Sequence, residues 1–203
     1  AEAASLVAEI EAMGGRAVAL QADLARLDGL APLIEACTDK LGAPTCLINN
    51  AARFERDCAD SLDAESWHMH LDINLRAPVF LAQAFARQLP DCADASVINM
   101  VDQKVQRLNP DYFSYTIAKS ALWTATQTLA QALAPRIRVN AVAPGPVLPA
   151  RDQSEAEFAA ECRSTLLKRG VSIDDVTAAV RFLVETPSIT GQMIVLDGGQ
   201  HLA

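Results

Sequence analysis

Tyr115 and Lys119 stand four positions apart in the chain. On an α-helix, residues at this spacing lie on the same face, so the lysine ammonium can approach the tyrosine phenol. An ordinary tyrosine has a pKa of about 10, and a nearby cation can lower that pKa by roughly 1–3 units. The pair therefore predicts a tyrosine that transfers a proton near neutral pH, with Lys119 lowering its pKa.

Asp102 precedes Tyr115 by thirteen residues and directly follows the apolar segment 96–101, which is typical of a buried strand. Two further apolar segments end in Asn49-Asn50 and in Pro144-Gly145. In a parallel α/β sheet, ligands bind beyond the carboxyl ends of the strands. We therefore expect these strand ends to surround Tyr115 and Lys119.

The elements that must position these residues alternate between short apolar segments and longer helical patterns. The predicted strands are residues 17–20, 45–48, 96–101, 137–142 and 193–196. The predicted helices are residues 3–13, 27–41, 64–89, 112–133 and 172–184. This alternation predicts an α/β fold of one domain over residues 1–203, with a doubly wound, Rossmann-type parallel sheet covered by helices on both faces.

Composition narrows the classes of function. The net charge of −8 disfavours binding to nucleic acid and to anionic membranes, and no apolar stretch has the length of a membrane-spanning helix. The first helix carries acidic residues, so a signal peptide is not predicted. The five cysteines show no C-x-x-C spacing, which is typical of reduced thiols in a cytoplasmic protein. His68 and His70 do not share a helix face, so we expect surface or packing roles for them and no metal site.

Several further motifs accompany the Tyr115 and Lys119 pair in order along the chain. They are Asp23-Leu24, Asn49-Asn50-Ala51, Asn74, Arg138-Val139-Asn140, Pro144-Gly145 and Asp197-Gly198-Gly199. Together they resemble the short-chain dehydrogenase/reductase family over essentially the whole chain.

The resemblance implies a role for each matching residue. Tyr115 would transfer the proton, Lys119 would hold the nicotinamide ribose, and Asn74 would link a water to Lys119. The implied cofactor is NADP, which we expect in preference to NAD. The implied activity is the reduction of a small-molecule substrate. The implied cofactor-binding residues are Tyr115 and Lys119 together with Asp23, Leu24, Asn50, Ala51, Pro144 and Gly145. The family also implies a homo-oligomer, dimer or tetramer, formed through helices 64–89 and 112–133.

The chain departs from the family at its start, where a strand and a glycine-rich turn normally receive the pyrophosphate. We expect the first strand–helix–strand unit, with the residues that choose NAD or NADP, to be missing from the 203 residues. The segment 17–20 would then lack its neighbouring strands. We expect this chain alone neither to fold well nor to bind a dinucleotide.

The second departure is Asp102, where the family usually has a serine. An ionised carboxylate only accepts hydrogen bonds, so Asp102 either favours a substrate with N–H donors or must be protonated. Its charge opposes the effect of Lys119 on Tyr115. An aspartate here resembles the pteridine reductase and dihydromonapterin reductase branch. There an aromatic residue four positions after the second asparagine stacks on the pterin, and Phe54 has that offset from Asn50. The alternatives are a surface aspartate and a core phenylalanine.

The segment 148–170 resembles the substrate loop of the family, and we expect its charges, among them Arg151, Asp152 and Glu155, to be solvated. The leading hypothesis is an NAD(P)-dependent oxidoreductase that transfers hydride to a C=N or C=O bond. In its more specific form, the substrate is a pterin. A generic carbonyl or alcohol oxidoreductase is the alternative. A non-catalytic dinucleotide-binding scaffold is the alternative from another class.

Overall fold

The computed structural model describes residues 2–91, 94–151 and 153–203. Cys92 and Asp152, considered above as a thiol and as a surface charge, lie outside the described residues. Within those residues the sheet has four parallel strands in the order β1-β2-β3-β4. The strands are β1 (Cys46–Asn49), β2 (Ala95–Met100), β3 (Ile137–Pro144) and β4 (Met193–Leu196).

Seven α-helices are present in the described part of the chain: α1 (Glu2–Ala12), α2 (Leu30–Leu41), α3 (Ala64–Leu71), α4 (Ala77–Gln88), α5 (Phe113–Leu133), α6 (Glu155–Ser164) and α7 (Ile173–Glu185). Short 3₁₀ turns occur at Leu27–Gly29, Gln103–Val105 and Gln200–Leu202. A π-helical turn, Asp72–Arg76, joins α3 to α4, so the long predicted helix is continuous but locally widened. No helix of the described residues has both the length and the apolar character needed to cross a bilayer.

The core consists of two layers on opposite faces of the sheet, because neighbouring residues of a strand point to opposite sides. On one face, Phe85 of α4 packs with Val97 and Val139. On the other, Leu183 of α7 packs with Ile98 and with further apolar residues of β2 and β3. The predicted parallel α/β sheet with helices on both faces is therefore confirmed.

One sequence-based expectation about the strands is wrong. Residues 17–20 form no strand, because a β-strand requires a hydrogen-bonded neighbour and no described strand pairs with this segment. The segment 148–170, predicted as the substrate loop, contains the helix α6. The start of α6 is fixed by a capping box, in which Ser154 and Glu157 satisfy each other's backbone N–H groups.

Candidate active site

Asp102 and Tyr115 meet at the carboxyl end of β2. Asp102 caps the Gln103–Val105 turn, where its Oδ1 accepts a hydrogen bond from the Lys104 backbone N–H at 2.8 Å. Tyr115 lies in the first turn of α5, and its hydroxyl donates to Asp102 Oδ2 at 2.8 Å. The thirteen-residue separation is thus closed by a direct hydrogen bond.

Lys119 lies one helical turn after Tyr115, and its side chain is buried. The ammonium donates to the Met100 backbone oxygen at 2.6 Å and lies 5.7 Å from the centroid of the Tyr115 ring. Burial lowers the pKa of Lys119 to about 8, although the attraction of Asp102 works in the opposite direction.

The net change in the pKa of Tyr115 is opposite to the one expected from Lys119 alone. Burial raises the pKa of Tyr115 well above its ordinary value, and the Asp102 carboxylate raises it further through its charge and through the hydrogen bond. Tyr115 is therefore a neutral phenol that donates. Burial is the larger cause, and the opposing effect expected of Asp102 adds to it.

Asp102 itself is affected by the same surroundings. Burial raises the pKa of its carboxyl group, and the hydrogen bonds from Lys104 N–H and Tyr115 O–H together with the charges of Lys104 and Lys119 lower it. Burial is the largest of these effects. Asp102 lines the cleft, which excludes the alternative of an ordinary surface aspartate.

Phe54 forms the aromatic wall of the site. Its ring stacks on Tyr112, with centroids 4.3 Å apart and planes 3° apart, and meets Tyr115 edge-on at 4.7 Å and 74°. Phe54 remains 40% exposed, so it is not a core phenylalanine. It lines, with Asp102, Tyr115, Gly145 and α6 residue Glu161, a cavity of about 300 Å³.

Asn74 lies in the π-helical turn and is fully buried. Its side-chain oxygen accepts from the Arg53 backbone N–H, and its amide nitrogen donates to the Arg53 carbonyl, both at 2.8 Å. Asn74 therefore anchors the segment that leads to Phe54. Its role in a proton relay stays a prediction.

The residues expected to bind a cofactor occupy several places. Asn50 and Ala51 are exposed after β1, and Asp23 is exposed beside a separate cavity of about 320 Å³. Leu24 packs against an apolar cluster that includes Leu30 and Leu81.

Of the two remaining residues, Pro144 is the last residue of β3, and Gly145, which follows it, lines the cavity beside Asp102 and Tyr115. A Cβ atom at Gly145 would lie 2.7 Å from the Cβ of Asp197, so only glycine permits this close packing.

A buried hydrogen-bonded group next to Tyr115 was not predicted: Asp57, His70 and Ser114. We expected a surface or packing role for His70. Its side chain is buried, as a packing role requires, but it also forms hydrogen bonds that were not predicted. The segment 148–170 was predicted as the substrate loop, but the helix α6 within it was not, although the spacing of Ser154 and Glu157 was a recognisable signal for its start.

Comparison with known proteins places this geometry in context. A family model described as Enoyl-(Acyl carrier protein) reductase matches residues 1–201. The chain belongs to the short-chain dehydrogenase/reductase family. This membership confirms the resemblance inferred from the motifs, and the protein is an oxidoreductase of that family.

Members of the family whose names indicate different activities are similar to this chain. The structure of FolM alternative dihydrofolate reductase 1 from Brucella canis complexed with NADP is 44% identical, with a TM-score of 0.96, and the match covers 100% of this chain and 80% of that one. The probable galactose dehydrogenase GalD of Rhizobium meliloti is 32% identical over 187 residues, which are 89% of this chain and 73% of the relative. Dihydromonapterin reductase of Citrobacter koseri is 26% identical over 189 residues, which are 92% and 78% of the two chains.

Proposed function

We propose that this oxidoreductase uses NADPH to reduce a C=N bond in a small, planar heterocycle that carries N–H donors, and that the substrate is a dihydropterin. The observation that carries the proposal is the Asp102 carboxylate, hydrogen-bonded to Tyr115 in a cleft walled by the exposed Phe54 ring. The similarity to proteins named for dihydrofolate and dihydromonapterin reduction supports it.

The chemistry of the two groups selects this substrate class. An ionised carboxylate only accepts, so Asp102 suits an N–H donor and offers nothing to a ketone oxygen. Phe54 adds an aromatic face on which a flat ring can stack. A pterin presents both a flat ring and N–H groups, whereas a simple sugar or ketone lacks this combination.

Tyr115 is the proposed proton source. Its raised pKa keeps it a phenol, and a phenol can donate to the nitrogen of the C=N bond as that nitrogen gains charge. Lys119 would then stabilise the phenolate that forms, because an ammonium nearby favours the charged form. Asp102 would orient the substrate N–H group and, with its raised pKa, share the proton with Tyr115.

The residues present fit a nicotinamide cofactor beside this site. The buried Lys119 ammonium has three donors, and the hydrogen bond to Met100 uses one of them, so two can hold ribose hydroxyls. When bound, the cofactor supplies the hydride. We assign Pro144 and Gly145 to its nicotinamide end and Asn50 and Ala51 to the neighbouring wall.

Asp23 and Leu24 are proposed for the adenine end. The choice of NADP over NAD rests on relatives that were crystallised with NADP.

A second candidate is the oxidation or reduction of a sugar or alcohol, which the similarity to GalD favours. The deciding experiment follows NADPH oxidation with 7,8-dihydropterins and simple ketones as substrates, and NADP⁺ reduction with galactose as the substrate. We expect the dihydropterins to exceed the others in kcat/KM by roughly 10⁴-fold, the size expected of a site built for specific hydrogen bonds. Turnover of galactose or ketones with no turnover of any dihydropterin would overturn the proposal.

The Asp102→Ser variant is the matched control for this assay. A serine hydroxyl can donate to a carbonyl oxygen, so this variant should lose preference for dihydropterins and gain activity on ketones. An unchanged preference would assign the selectivity to groups other than Asp102.

We also infer a cytoplasmic homo-oligomer, dimer or tetramer. The cysteines among the described residues, Cys37, Cys46, Cys58 and Cys162, are free thiols, as expected in a reducing compartment. Phe80 on α4 and Ile117 on α5 expose apolar surface on the two helices expected to join subunits. Light scattering of the purified protein tests this, and a monomer at micromolar concentration would contradict it.

A further inference from the structure

His70 lies at the centre of a buried hydrogen-bonded chain that the proposed chemistry does not use. Its ring is fully buried at the end of α3, with its centroid 6.2 Å from that of Tyr115. The Glu55 backbone N–H contacts His70 Nε2 at 3.2 Å, and Ser114 Oγ contacts Nδ1 at 2.6 Å. Ser114 in turn reaches the buried Asp57 through both its hydroxyl and its backbone N–H.

The groups at the two ends of this series of hydrogen bonds, the Glu55 N–H and the Asp57 carboxylate, determine the direction of every bond in it. A backbone N–H can only donate, so His70 Nε2 must accept and the proton must be on Nδ1. Nδ1–H then donates to Ser114 Oγ, and the Ser114 hydroxyl donates to the Asp57 carboxylate. The chain therefore requires one neutral tautomer of His70.

The charges around the imidazole are compatible with this state. Burial is the main cause that lowers the pKa of His70, and Arg53 lowers it further, while the carboxylates of Asp57 and Glu55 act against them. The Tyr115 ring faces His70 from α5. Protonation would also place an N–H of His70 against the N–H of Glu55, which costs both groups a partner.

The two arms of the chain end beside the two working groups of the site. Glu55 directly follows Phe54, the proposed stacking surface, and Ser114 directly precedes Tyr115, the proposed proton source. Resting on the proposed function, we propose that His70 is a positioning residue for this reaction. Its Nε2 arm fixes the Phe54 segment for substrate stacking, and its Nδ1 arm fixes the first turn of α5 for proton transfer.

Two substitutions separate the arms. In His70→Asn the amide N–H takes the place of Nδ1–H and keeps the bond to Ser114, while the acceptor for Glu55 is lost. In His70→Gln the longer side chain keeps an acceptor near the Nε2 position and loses the donor to Ser114. His68→Asn, at an exposed position on the same helix, is the matched control.

The expected result is a split between the kinetic constants. His70→Asn should raise the substrate KM about 3- to 10-fold at nearly constant kcat, and His70→Gln should lower kcat by a similar factor at nearly constant KM, as expected for one lost hydrogen bond each. His68→Asn should change neither constant. Equal changes of KM and kcat in both His70 variants, or no change in either, would overturn the proposal.

A measurement without substrate keeps this inference separate from the proposed function and from the folding of the variants. Two-bond ¹H–¹⁵N spectra of the unmodified protein should show His70 as the Nδ1–H tautomer, still neutral at a pH below the ordinary histidine pKa of about 6.5. An Nε2–H tautomer, or an imidazolium at neutral pH, would refute the positioning role even if dihydropterins are reduced. Failure of every dihydropterin as a substrate, with the Nδ1–H tautomer present, would instead refute the proposed function alone.

Discussion

Replacement of Lys119 with methionine should make the protein more stable and less active. The pKa of this lysine falls from 10.5 to about 8 because the ammonium is buried. At neutral pH that difference corresponds to about 3 kcal/mol of unfavourable free energy, since each pH unit is worth about 1.4 kcal/mol. The lost hydrogen bond to Met100 removes about 1 kcal/mol of stabilisation, so a net gain of about 2 kcal/mol is expected.

The sign of the pH dependence follows from the same pKa. Between pH 8 and 10.5 the unfolded chain binds more protons at Lys119 than the folded chain does, so the stability of the unmodified protein rises with pH in this window. The advantage of Lys119→Met should therefore be full below pH 8 and decline toward pH 10.5.

Urea unfolding of the two proteins at several pH values measures both effects, with Lys40→Met, at an exposed position on α2, as the control. A gain of about 2 kcal/mol corresponds to a rise in Tm of roughly 4–8 °C for a protein of this size. A Lys119→Met protein that is less stable than the unmodified one, or an advantage that does not change with pH, would refute the reasoning.

Three further outcomes are expected. Phe54→Leu should raise the substrate KM about fivefold with little change in kcat, because about 1 kcal/mol of aromatic stacking is lost, and an unchanged KM in steady-state assays would exclude stacking. Asp102→Asn should lower the pKa of Tyr115, since the carboxylate is one cause of its rise. Ultraviolet titration in a Tyr112→Phe background follows Tyr115 alone, and an unshifted titration curve would contradict the assigned cause. The value of kcat/KM should fall as pH rises past about 8, where Lys119 loses its proton. Lys119→Arg should remove that decline, and a decline that persists in the arginine variant would assign it to another group.

Much of the fold follows from local sequence patterns, because periodicity and capping are local properties. The strand 193–196 was predicted with its observed bounds, and the helices around Tyr115 and Asn74 were predicted within a few residues. The prediction of a strand at residues 17–20 was wrong because strand pairing is not a local property. The apolar character of this segment permits a strand, but a strand exists only with a partner, and partners are not encoded in the segment itself.

The candidate site was partly predictable from the sequence. The helical spacing of Tyr115 and Lys119 and the position of Asp102 at a strand end predict that the three side chains lie together. This prediction depends only on backbone geometry. The net direction of the Tyr115 pKa shift did not follow from the sequence, where Lys119 and Asp102 were expected to act in opposite directions, because it depends on burial and on which group the hydroxyl contacts. The bond from His70 to Ser114 spans forty-four residues and has no local signal.

The most direct measurement is single-turnover oxidation of NADPH with a dihydropterin in the unmodified protein and in Tyr115→Phe, with NADPH binding determined separately by calorimetry. If Tyr115 supplies the proton, the variant should lose roughly 10²- to 10⁴-fold in rate while binding NADPH with nearly unchanged affinity. A rate within a few-fold of the unmodified protein would show that another group supplies the proton and would contradict the assignment.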